Sequence, residues 1–122
     1  MLRRLTLGEV QELITGKHSF VLNVIANWCP DCTEKQAPNL PLFVEQLDIV
    51  GLDVINLIVQ EEKRVYMSRA HEDFVSMLGG HGFPRTVLYL DGKVVDANNV
   101  EILTKANLAL LLEKFKVFIH PD

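Results

Sequence analysis

The sequence predicts an α/β fold, a central mixed four-stranded sheet flanked by helices on both faces. Three observations predict it. Two continuous apolar runs, residues 20–25 and 54–59, have the β-branched character of strands covered on both sides. Segments of helical periodicity alternate with them along the chain, the pattern of a sheet packed between helices. Asp91-Gly92 separates residues 86–90 from residues 93–95, which reads as a hairpin closed by a type I′ turn.

Taken in order, Thr6-Leu7-Gly8-Glu9 has the form of a capping box and opens an amphipathic helix through Val10, Leu13 and Ile14 that stops at Gly16. The first strand, residues 20–25, follows. Pro30 suits the first turn of the next helix, where its missing N–H costs nothing. Pro38 and Pro41 then predict a kink or break before residues 42–47, and Gly51 ends the stretch. After the second strand, Tyr66, Ala70, Phe74 and Leu78 recur every four residues, predicting a helix over residues 61–78. The glycines of residues 79–82 punctuate the chain before the hairpin. A last helix carries Leu108, Leu111, Leu112 and Phe115 before Pro121. No repeat, linker or low-complexity segment interrupts the order, so one domain over residues 1–122 is expected.

Composition excludes several classes. Hydrophobic residues make up 48% and charged residues 23%, an ordinary globular balance. Twelve Lys+Arg against sixteen Asp+Glu give a net charge of −4, which argues against a nucleic-acid partner. No apolar run approaches the roughly 20 residues of a membrane span. Arg3 and Arg4 are followed too soon by Glu9, Gln11 and Glu12 for a secretory signal, so a reducing, cytoplasmic location is expected.

Both cysteines, Cys29 and Cys32, fall in Trp28-Cys29-Pro30-Asp31-Cys32. The loop they would close is too small to constrain an unfolded chain much. Two ligands do not complete a tetrahedral zinc site, and the four histidines follow no metal spacing with them. Such spacing reads as redox chemistry.

This order of elements, with Trp-Cys-x-x-Cys after the first apolar strand, resembles the thioredoxin family. Gly82-Phe83-Pro84-Arg85-Thr86 leading into the Asp-Gly hairpin is similar to the segment where that family carries a cis-proline facing the site. The likeness runs from about residue 5 to residue 115, and the Pro-Asp centre is similar to the WCPDC motif of small thioredoxin-related proteins. Glutaredoxins share Pro after the first cysteine, but favour an aromatic next and a glycine-acidic stretch after the hairpin that is missing here.

The resemblance implies a thioredoxin-like fold and a thiol–disulfide oxidoreductase. Cys29, at a helix start that favours thiolate, would be the more exposed nucleophile, and Cys32, one turn in and more buried, the resolving thiol. Trp28 would shield the sulfurs. The carboxylate of Asp31 would oppose the thiolate while complementing the helix dipole. Pro84 would shape a groove in which the Phe83 backbone pairs with an extended substrate segment. Arg85 either points to the site, to stabilise thiolate or receive an acidic substrate group, or is a solvated strand-end residue. His81 is the one histidine near enough to reach the site.

Asn23 stands where thioredoxins bury an aspartate, and Asn56 where they have a lysine. Pro38 comes one residue later than the family's kinking proline, and Glu101 falls near a family glycine. Residues 60–82 form a longer segment than the family's, read either as an extra helix with a partner surface or as an inert elongation.

No cofactor is implied, because the cysteine pair itself carries the electrons. Expected partners are disulfide-bearing proteins or small thiol compounds and an upstream reductant, either a flavoprotein reductase or a low-molecular-weight thiol. No membrane or nucleic acid is expected, and the chain is expected to be a monomer. Two other classes stay open: a binding or chaperone-like module with vestigial redox chemistry, and a metal or iron–sulfur site shared across a homodimer.

Overall fold

A computed structural model describes residues 1–120. Six strands form one sheet: β1 (Leu2–Arg4), β2 (Phe20–Ala26), β3 (Val54–Glu62), β4 (Val65–Tyr66), β5 (Arg85–Leu90) and β6 (Lys93–Val100). Four α-helices flank it: α1 (Leu7–Thr15), α2 (Leu40–Ile49), α3 (Arg69–Met77) and α4 (Lys105–Ile119). The strands lie in the order β1-β3-β2-β5-β6, with β4 folded back on β3. β2 runs parallel to β3 and antiparallel to β5, so the sheet is mixed.

The predicted four strands are thus β2, β3, β5 and β6, and two are added. β1 consists of three exposed residues held by backbone pairing, with Leu2 opposite Val54. No burial pattern marks it, which is why periodicity misses it. The helix predicted over residues 61–78 is corrected as well. β3 continues to Glu62, turns at Lys63 and Arg64, and returns as β4 before α3 begins. Arg64 takes a positive φ of 66° in that turn, where no Gly, Asn or Asp announces it. Ser68 starts the true helix by accepting a hydrogen bond from the His71 N–H.

Other local signals act as their chemistry dictates. The Thr6 hydroxyl accepts from the Glu9 N–H at 3.2 Å and the Glu9 carboxylate accepts from the Thr6 N–H at 3.0 Å, completing the capping box. Asp91 and Gly92 both have positive φ, 53° and 77°, as the type I′ turn requires. Between β2 and α2 the winding changes twice: Asp31–Gln36 is π-wound and Ala37–Asn39 is a tight 3-10 turn containing Pro38. Proline removes the donor that regular α-winding would need there. α4 is capped by Thr104, whose side chain accepts from the Asn107 N–H; Pro121, read as following it, lies outside the described residues.

Because side chains alternate across a strand, β2 feeds two cores. Phe20, Leu22 and Val24 pack with α1, α3 and both cysteines. Val21 packs on the other face with Leu40, Phe43 and Leu47 of α2 and Leu108, Leu112 and Phe115 of α4. Asn23 interrupts that second row.

Candidate active site: a dithiol facing a cis-proline

The site forms where β2 ends. Ala26 closes the strand, its carbonyl accepts from the Cys29 N–H at 3.1 Å, and the Cys29 carbonyl accepts from the N–H groups of Cys32 and Thr33 at 3.0 and 3.1 Å. This tight turn presents both cysteines, as free thiols, to one end of the sheet. The peptide bond between Phe83 and Pro84 is cis. The Phe83 carbonyl faces Cys29, whose Sγ lies 3.8 Å from it as a weak thiol donor.

Cys29 is the more exposed of the two thiols, but only narrowly: it is 6% exposed and Cys32 3%. Burial pushes the Cys32 thiol up to about 12, with the neighbouring Cys29 and Asp31 adding to the rise. Cys32 is thus held as a thiol at neutral pH.

Trp28 is half-buried beside the pair. Its indole N–H donates to Gln60 Oε1 at 2.9 Å, its ring meets Phe83 edge-on at 6.5 Å, and Lys63 Nζ stands 5.7 Å from its ring centre. Pro30 is exposed, and Asp31 pairs with Lys35 at 3.2 Å, one helical turn on. His81 is exposed and lies edge-on to Phe83, with ring centres 5.4 Å apart. Glu101 adopts the left-handed φ of 59° and donates its N–H to the Pro84 carbonyl at 2.8 Å. A non-glycine residue there is uncommon.

Asn23 is 1% exposed and lies opposite Asn56. Its Nδ2 donates to Gln36 Oε1 at 2.8 Å and to Asn56 Oδ1 at 2.9 Å. Its Oδ1 accepts from Thr86 Oγ1 at 3.1 Å and Gln36 Nε2 at 3.3 Å. Gln36 also donates to the Ile102 carbonyl at 3.0 Å. A neutral amide cluster, with every hydrogen-bonding position of Asn23 filled, occupies this part of the core.

Sequence reasoning missed Gln36 and Gln60, both buried. The available signal was a glutamine one turn beyond Cys32 and another directly after the apolar run of β3. Arg85 is also corrected. It is neither a solvated strand-end residue nor pointed at the sulfurs; it is 6% exposed and bonded to the Ala97 and Gly80 carbonyls. Among the described residues no group of three or more His, Cys, Asp or Glu is arranged to hold a metal ion, and no helix is long and apolar enough to cross a membrane.

No protein-family model and no curated protein sequence matches the chain. Solved structures do. Mitochondrial thioredoxin 3 of Saccharomyces cerevisiae in its oxidized form superposes with a TM-score of 0.65 at 18% identity, covering 93% of this chain and 94% of that one. Thioredoxin from Fasciola hepatica gives 0.58 at 20%, over 93% and 98%. Trxlp from Edwardsiella tarda gives 0.65 at 15%, over 92% and 98%. The chain has the thioredoxin fold, and it carries a Cys-x-x-Cys pair at the end of a central strand.

Proposed function

We propose that the chain is a dithiol oxidoreductase that reduces disulfides of proteins or small molecules through Cys29 and Cys32. The observation that carries this reading is the Cys29 sulfur facing the Phe83 carbonyl, directly before a cis-proline, with a second free thiol one turn behind it. A substrate strand pairing with the Phe83 backbone would bring its disulfide onto Cys29.

In the first step the Cys29 thiolate attacks one substrate sulfur, forming a mixed disulfide and expelling the other sulfur as a thiolate. In the second, Cys32 loses its proton and attacks Cys29. The Cys29–Cys32 disulfide forms, the second substrate thiolate leaves, and two electrons have passed to the substrate. The elevated affinity of Cys32 for its proton makes deprotonation the demanding part of resolution. Asn23, Gln36, Asn56 and Thr86 carry no group that titrates near neutrality, so this proton leaves through water, the departing thiolate or the Asp31 carboxylate. A flavoprotein reductase or a low-molecular-weight thiol in a reducing compartment restores the dithiol.

Cys32→Ser tests the reading. It should hold a disulfide substrate as a stable mixed disulfide on Cys29, detectable by intact mass and released by dithiothreitol. A variant that forms no adduct, alongside a wild type whose mass does not fall by two protons on oxidation, makes the chain a binding module instead.

A further inference from the structure

The turn between β3 and β4 is built onto the dithiol. Gln60, near the end of β3, is 1% exposed, and its Oε1 accepts from the Trp28 indole N–H at 2.9 Å and from the Arg64 N–H at 3.3 Å. Its backbone carbonyl accepts from the Asn27 N–H at 2.9 Å. One buried residue therefore fastens the turn to the segment that leads into Cys29. The turn itself is short: Glu62 pairs with Val65 across it, leaving only Lys63 and Arg64 at its tip.

Lys63 is the side chain that this turn delivers to the site. It is exposed, its Nζ stands 5.7 Å from the centre of the Trp28 ring, and it joins no ion pair among the described residues. Trp28 precedes Cys29 in the chain and meets the Phe83 ring edge-on. Only the indole therefore separates the Lys63 ammonium from the residue that carries the nucleophile. Arg64 turns instead to the α3 side, where it shares a cleft with Tyr66, Ser68 and Arg69. The carboxylates beside the cysteines are already engaged: Asp31 pairs with Lys35, and Glu61 accepts from the Asn27 side chain.

We infer that Lys63 is a specificity-determining residue that favours polypeptide disulfides with a carboxylate close to the reactive cysteine. This rests on the dithiol reading and deepens it by naming a class of client. A client strand paired with the Phe83 backbone advances about 3.3 Å per residue, so a side chain two positions from its cysteine lies roughly 7 Å along. That distance is within reach of the long, flexible Lys63 stem standing over Trp28. The preference runs against the chain's net charge of −4, so the overall field cannot produce it.

The test oxidises the reduced wild-type protein with symmetric disulfides of the end-blocked peptide Gly-Xaa-Gly-Cys-Gly-Xaa-Gly, in which Xaa is Asp, Asn or Lys. Each event releases two peptide thiols and leaves the Cys29–Cys32 disulfide. Each rate is divided by the rate of the same peptide with dithiothreitol, which removes differences in the peptides' own reactivity. At low salt the normalised Asp rate should exceed the Asn rate about two- to fivefold, the scale of an exposed ion pair. The ratio should approach one in about 1 M salt, where charges are screened within roughly 3 Å. Lys63→Gln should bring the low-salt ratio to about one, and Lys63→Glu should make the Lys peptide the faster. Arg64→Gln makes the same charge change one residue away and should keep the preference. No preference in the wild type, or one that survives Lys63→Gln or is lost equally in Arg64→Gln, overturns the inference. The same peptides with Ser in place of Cys give a reading independent of turnover. Trp28 is the only tryptophan, and the Asp peptide should shift its indole resonance more than the Lys peptide does. Equal shifts in the wild type also overturn the inference. If the dithiol reading itself fails, no peptide disulfide oxidises the pair, while the Ser peptides still report on Lys63.

Discussion

Cys32 is the residue whose proton the proposed reaction must move, and its burial also ties the redox state to stability. In the unfolded chain a thiol titrates at about 8.5. In the fold, burial, then Cys29 and Asp31, push it up to about 12. Between these values the folded protein holds a proton that the unfolded chain has released, so unfolding gains with each step in pH. The contribution of Cys32 is complete below about pH 8.5 and is lost as pH rises toward 12. Tyr89 is also pushed up to about 12 by burial, but an unfolded tyrosine begins to titrate only at about 10. Urea midpoints of the reduced protein should therefore fall between pH 8.5 and 10, and Cys32→Ser should lack that fall. Parallel profiles for the two proteins would mean that Cys32 is no more reluctant to ionise in the fold than outside it. Cys29 adds a contrast at the same scale: it is nearly as buried as Cys32, yet its sulfur faces the Phe83 backbone carbonyl.

At the scale of elements, the amide cluster fastens β2, β3 and β5, the π-wound turn and the chain before α4 to one another through Asn23, Asn56, Thr86, Gln36 and Ile102. Asn23→Asp withdraws both donors at its centre, leaving Gln36 Oε1 and Asn56 Oδ1 against a carboxylate. The expected loss at pH 7 is about 1–3 kcal/mol, the cost of unmet buried polar groups. Burial raises the new carboxyl's pKa, and its protonated form can donate once, so the loss should shrink as pH falls toward 5. Urea unfolding at both pH values measures this, and a variant as stable as the wild type at pH 7 would show that the cluster bears no load. Asn23 and Asn56 were singled out only through the family resemblance, which puts them where an acid and a base stand; that they face each other follows from the parallel register of β2 and β3. The capping box and the type I′ turn were legible because each rests on local hydrogen bonds or dihedrals. β1 and β4 were not, since both are held by backbone pairing at the sheet's edge, with little side-chain burial to leave a period. Gln36, Gln60 and the closed position of Arg85 depend on contacts between distant segments, which no local pattern encodes.

At the scale of the whole molecule, the sheet divides the interior into two cores with different duties. The dithiol, Trp28 and Phe83 belong to the core under α1 and α3, while α2 and α4 close the other core around Phe115. Side chains of β2, β3 and β5 alternate between them, so a void on one side is separated from the sulfurs by a strand backbone whose hydrogen bonds stay intact. Phe115 is fully buried in the second core. Phe115→Leu should lower global stability by about 1–2 kcal/mol through lost contacts and a small cavity. It should leave the chemistry of the site where it was, because no residue touching Cys29 or Phe83 changes its packing. Urea unfolding measures the first effect. The second is read from the rate at which reduced Cys29 reacts with iodoacetamide under fully native conditions, mapped by peptide against Cys32. The preference for Cys29 and its rate should match the wild type within about twofold, the variation expected of distant, uncoupled sites. A large change in that rate with folding intact would mean that the two cores communicate through the sheet, and that α2 and α4 set the reactivity of the dithiol as well as the stability of the fold.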